Sequence, residues 1–107
     1  MTADVMPVTL VLVNGRIRTG DARRPVADAM IVSGERLALV ASSAEVRKFA
    51  GADARVIDMR GAKVVAMPDP DGVLRRGARA SFAVFAQTDE SEKFRMIDGE
   101  ILVDELS

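Results

Sequence analysis

Carboxylates and hydroxyls are the side chains in this chain with the most evident capacity for chemistry. Asp69-Pro70-Asp71-Gly72 sets two carboxylates beside a glycine, a partial likeness to the calcium loop D-x-[DN]-x-[DN]-G. That motif needs a third ligand and a distant Glu, and Gly72 comes too early, so the stretch reads as a turn. Asp98, Glu100, Asp104 and Glu105 gather further carboxylates, and along a strand Asp98 and Glu100 would share a face. Paired carboxylates do general acid–base work where a pocket or desolvation raises one pKa; a solvated hairpin edge offers neither. Ser42, Ser43 and Ser81 would need a basic partner to act as nucleophiles. The chain contains no His and no Cys. The commonest general base near neutral pH, a thiol nucleophile, a disulfide and the usual zinc clusters are therefore excluded. The serines read as caps and surface groups. No catalytic, cofactor-binding or metal-binding residue is assigned, and no cofactor is expected.

Two basic clusters, Arg23-Arg24 and Arg75-Arg76 with Arg79, are the natural places to look for phosphate binding. The overall balance of 15 basic and 16 acidic residues, net charge −1, carries no footprint for nucleic acid or an anionic membrane. Both clusters read as solvated loops or edge faces, where positive charge also discourages edge-to-edge pairing. Aromatic residues make up only 4%, with no Tyr or Trp, which leaves few surfaces for stacking bases. The start, MTADVMPVTLVLVNG, lacks the basic opening and long apolar run of a signal peptide. No apolar run approaches the length of a membrane span, and a cytoplasmic location is expected.

The elements that must position these residues follow from hydrophobic patterning. At 107 residues and 49% hydrophobic, the chain suits one domain, residues 1–107, with a packed core. That core must be built from Val, Leu, Ile, Ala and Met, and the six Met are read as filling. Val8 to Val13 and Arg16 to Thr19 flank Asn14-Gly15, the strongest two-residue hairpin signal. Gly20 to Pro25 reads as loop. Ala29 to Val32 and Leu37 to Ala41 flank Ser33-Gly34-Glu35, a second hairpin. The period then changes. Ser42 followed by Glu45 forms a capping box, and Val46, Phe49 and Ala50 mark one helical face. Gly51 fits the position that ends the helix, which the spacing puts at 43–50.

Strands resume at Arg55 to Met59 and Lys63 to Met67, around a turn at Arg60-Gly61-Ala62. Ser81 to Ala86, Phe94 to Ile97 and Ile101 to Asp104 follow, the last two flanking Asp98-Gly99, a third tight hairpin. Gln87 to Lys93 is polar loop. Roughly nine short strands and one helix specify a small, mainly antiparallel β-sandwich. Runs such as Val8 to Val13 are apolar at nearly every position, so they are either covered on both faces or offered to a partner.

The order of these segments resembles the metal-dependent amidohydrolases. LVNGRIRTG, DAMIVSGERLALVAS and ARVIDMRGAKVVAMP are similar to the N-terminal segment of those enzymes, which builds strands of a small sandwich beside a catalytic barrel. GVLRRGARASFAVFA resembles the segment by which the chain leaves the barrel and re-enters the sandwich. Gly72, Leu74, Gly77, Ala80 and Phe82 fit that pattern; Ser81 stands where Asp is usual. RMIDGEILVDE resembles the final hairpin. In the family the strand ending in Pro continues into Gly-Phe/Leu-Ile/Val-Asp-x-His-x-His, whose histidines bind metal. Here Pro68 is followed by Asp69-Pro70-Asp71-Gly72. The resemblance therefore implies a composite sandwich domain in which residues 68–72 replace a barrel of about 250 residues. It implies a non-catalytic stand-alone domain, structural or engaged in protein interaction. Self-association or a protein partner would use its apolar sandwich surface. The alternative is an accessory domain of a split amidohydrolase with a separately encoded barrel.

Overall fold

A computed structural model describes residues 10–49, 55–67 and 72–105. Ten strands and one helix run through them: β1 (Leu10–Val13), β2 (Arg16–Arg18), β3 (Val26–Ala27), β4 (Ala29–Ser33), β5 (Arg36–Ala41), α1 (Ser43–Phe49), β6 (Val56–Asp58), β7 (Lys63–Ala66), β8 (Phe82–Phe85), β9 (Glu92–Ile97) and β10 (Glu100–Asp104). They form a four-stranded sheet, β5-β4-β1-β6, and a six-stranded sheet, β10-β9-β8-β7-β2-β3. This is the small, mainly β sandwich that the patterning specifies.

The core lies between the sheets. Leu10, Leu12, Met30, Val32 and Ile57 of the smaller sheet meet Ile17, Val64, Phe82, Val84, Phe94 and Met96 of the larger one. The Phe82 and Phe94 rings stack at 5.9 Å between centroids, and both residues are fully buried. Met30, Met59 and Met96 fill core space, as expected of the methionines.

The apolar runs are covered on both faces. β1 and β4 send Leu10, Leu12, Met30 and Val32 into the main core. Their other faces, Val11, Val13, Ala29 and Ile31, form a second cluster with Ala41 and Val46, the buried residue of α1. A helix of about two turns thus covers the outside of the four-stranded sheet. Its start is the expected capping box: Ser42 Oγ accepts from Glu45 N–H (3.2 Å), and Glu45 Oε1 accepts from Ser42 N–H (3.4 Å). These contacts satisfy donors that the first turn leaves without helical partners. Ser42→Ala is expected to cost about 1 kcal/mol, measured as a lower urea midpoint with unchanged slope. Phe49, expected on the buried face, is 67% exposed, because Val46 alone already fills the space under this seven-residue helix. Ala50 and Gly51 lie outside the described residues.

Two of the expected turns join different sheets. β1 pairs with β4 and β6, whereas β2 pairs with β3 and β7. Asn14-Gly15 is therefore a corner and not a hairpin. Only Asn14 takes positive φ (59°), whereas a tight hairpin of that type needs it at both positions. The Arg60-Gly61 turn repeats the move: β6 lies parallel to β1 in one sheet, and β7 lies parallel to β2 in the other. Two parallel segments cross the sandwich together. Met59 N–H to Val13 O, Gly61 N–H to Asn14 O and Arg16 N–H to Ala62 O carry the pairing around the bend. The hairpins at Gly34-Glu35 and Asp98-Gly99 form as expected; Asp98 and Gly99 both take positive φ (49° and 81°). β3 is a strand that the sequence patterning does not specify; its Val26 and Ala27 pair with Arg18 and Ile17.

Residues 72–81 form a strap rather than a strand. Leu74 N–H bonds Thr19 O, Gly77 N–H bonds Leu37 O, Leu37 N–H bonds Ala78 O, and Ala80 N–H bonds Glu35 O. Leu74 and Ala80 are buried. The strap thereby occupies the outer edge of β5 and ties it to the larger sheet, which removes an open strand edge.

Candidate functional site

Several of the expected candidate residues have structural partners. Asp69 and Asp71 lie outside the described residues. At the last turn, Ser81 Oγ accepts from Asp98 N–H (2.9 Å), and Arg79 reaches both Asp98 (3.4 Å) and Glu35 (3.5 Å). Ser81 thus fixes the β9–β10 turn. Asp104 pairs with Arg55 at 2.8 Å, while Glu100 and Glu105 are exposed. Asp98 and Glu100 line one shallow depression with Glu35, whereas Asp104 is taken up by Arg55.

Ser42 caps α1. Ser43 belongs to the corner network: its Oγ accepts from Asn14 N–H (2.9 Å), and its N–H donates to Asp28 Oδ2 (2.9 Å). Asp58 closes the same corner. The Arg60 N–H and, after it, the Asn14 side chain hold its carboxyl below the usual aspartate range. Its contribution to stability is complete above the ordinary aspartate pKa and lost as pH falls through the depressed value. These contacts position backbone. Among the described residues no group of three or more Asp, Glu, His or Cys side chains is placed to hold a metal ion.

What the one-dimensional reading separated, the fold brings together. Arg23-Arg24 and Arg75-Arg76 line one cleft of about 270 Å³, with Thr19 and Leu74 at its base and Asp21 beside them. Arg79 belongs elsewhere, on Glu35 and Asp98. Half the chain separates the two arginine pairs, and no local spacing signals their approach.

The outer face of the six-stranded sheet is the other surface of note. Register places Val26, Arg18, Val65, Ala83, Arg95 and Val103 in one row across all six strands. Val26 and Val65 are exposed there, and Ile101 and Leu102 are exposed on β10. Lys63, Phe85 and Arg16 line a shallow groove alongside. It is a mixed apolar and basic face, with Arg95 neutralised by two hydrogen bonds to Glu92 (2.7 and 2.8 Å).

Fold and site together define a small β-sandwich whose polar clusters brace turns. Among known proteins, the chain is 46% identical over 56 residues to an N-substituted formamide deformylase of Arthrobacter pascens. The match covers 52% of this chain and 10% of that protein. The chain thus spans a small fraction of the enzyme it resembles, and the similarity supports the relation to amidohydrolases. No protein-family profile and no solved structure matches. No helix among the described residues is long and apolar enough to cross a membrane.

Proposed function

We propose that this chain is a composite-type amidohydrolase sandwich that lacks the catalytic barrel and acts as a non-catalytic structural or protein-interaction domain. The observation that carries the reading is the pairing of β7 with β8. The resemblance assigns these two strands to opposite sides of the barrel insertion. Here they are hydrogen-bonded neighbours, from Lys63↔Phe85 to Ala66↔Phe82, and Met67 N–H to Ser81 O adds a further rung. Large insertions are tolerated where chain ends meet, and four residues, 68–71, suffice to cross from Met67 to Gly72. The sequence between these strands supplies no histidine, and the segment from Gly72 onward is committed to the strap.

The partner surface follows from what is left uncovered. α1 occupies the outside of the smaller sheet, so the outer face of the larger sheet remains for docking, with Val26 and Val65 as its apolar points. A second copy or a protein with an apolar, acidic surface fits that face. The purified chain, supplied with zinc or manganese, is expected to hydrolyse N-substituted formamides and cyclic amides no faster than buffer. Metal-dependent turnover that survives purification to homogeneity would overturn the non-catalytic reading.

One observation favours a second reading, an accessory domain for a separately encoded barrel: the similar protein is a far longer enzyme. That reading requires a barrel-only hydrolase encoded nearby, which co-purifies with this chain and gains activity from it.

A further inference from the structure

We propose that the cleft between loop 20–25 and the strap binds a small phosphate-type polyanion. Arg23 and Arg24 enter from the loop, and Arg75 and Arg76 from the strap. Four arginines line it with one acidic residue, Asp21, in a chain whose net charge is −1. Among the described residues Arg23, Arg75 and Arg76 enter no ion pair, and Arg24 only approaches Glu45 at 3.8 Å. Bringing like charges together costs energy that a bound anion would offset.

Both walls are fixed to one buried residue. Thr19 N–H bonds Pro25 O, Thr19 O accepts from Leu74 N–H, and Thr19 Oγ1 donates to Arg24 O and accepts from Asp21 N–H (3.0 Å). Gly20 permits the approach. Its φ is +75°, and a Cβ there would lie 2.6 Å from the Gly72 carbonyl. The backbone that carries the arginines is therefore held in place before any ligand arrives, which lowers the ordering cost of binding. Guanidinium forks match phosphate oxygens in pairs, so an anion with two phosphoryl groups can engage both walls. Among the described residues no aromatic ring lines the cleft, which argues for the phosphoryl group itself and against a nucleobase.

The test is calorimetric titration of the full chain with inorganic pyrophosphate and orthophosphate at low ionic strength. Pyrophosphate is expected to bind more tightly than orthophosphate. Arg75→Gln with Arg76→Gln should weaken it about tenfold or more, in line with the loss of charged hydrogen bonds. Arg47→Gln with Lys48→Gln, which removes the same charge from α1, should leave it unchanged. The proposal fails if pyrophosphate does not bind the native chain, or binds it no more tightly than orthophosphate. It also fails if the strap variant binds as well as the native chain, or if the helix variant loses as much.

Discussion

Phe82→Ala is expected to cost about 3–5 kcal/mol, the range for emptying a fully buried aromatic site. Phe82 is wholly buried, stacks on Phe94, and sits on β8 directly opposite Ala66 of β7. It therefore anchors the join between the strands that flank the link. Small domains have total stabilities of about 5–15 kcal/mol, so the variant should sit near the edge of folding. Urea unfolding followed by circular dichroism measures this. Phe82→Leu retains most of the volume and should lose distinctly less. A loss below about 1 kcal/mol for the alanine variant would show that β7 and β8 do not share one packed core.

Gly99→Val is expected to be almost as damaging, for a backbone reason. Gly99 adopts φ +81°, and a Cβ there would stand 2.0 Å from the Gly34 carbonyl oxygen. A β-branched residue in left-handed backbone costs about 1–2 kcal/mol by itself, and the two hairpin turns must then separate. A combined loss of about 3 kcal/mol or more is expected. At roughly 4–8 °C per kcal/mol, the melting temperature should fall by more than about 12 °C. Gly77→Val is the comparison: its φ is also positive, +88°, but a Cβ there meets nothing within 4 Å. Equal losses at the two positions would mean that the hairpin turns do not touch.

These two sites also show what the sequence can and cannot reveal. Phe82 is legible as core because its strand is apolar and follows a family-like segment. Asp98-Gly99 is legible as a hairpin because both residues tolerate the positive φ that the turn demands. Asn14-Gly15 carries the same local signal but forms a corner. A turn signal reports backbone chemistry, whereas the partner of each strand is decided by distant β6 and β7. Gly15 serves close packing instead, since a Cβ there would lie 2.3 Å from Met59 Cε. The contact between the Gly99 and Gly34 turns is likewise a long-range event with no local trace.

The candidate surfaces divide in the same way. Ser42 and Glu45 announce their role through spacing, because a capping box is local. Ser81 does not, because its partner Asp98 reaches it only through the fold. The arginine cleft joins residues from loop 20–25 and the strap, and charge counting along the chain averages it away. The apolar runs allow either double cover or an open face, and α1 supplies the cover for the smaller sheet. Val26 and Val65 are the exposed apolar points of the outer six-stranded face, where the proposed docking is tested.

Light scattering coupled to size-exclusion chromatography, over a range of concentrations, tests the interaction role most directly. The expected result is a mass at least twice the 11.5 kDa of one chain, reduced to a single chain by Val65→Asp on the outer face. A native protein that stays at 11.5 kDa at the highest concentration, and retains no protein partner when used as bait, would contradict it.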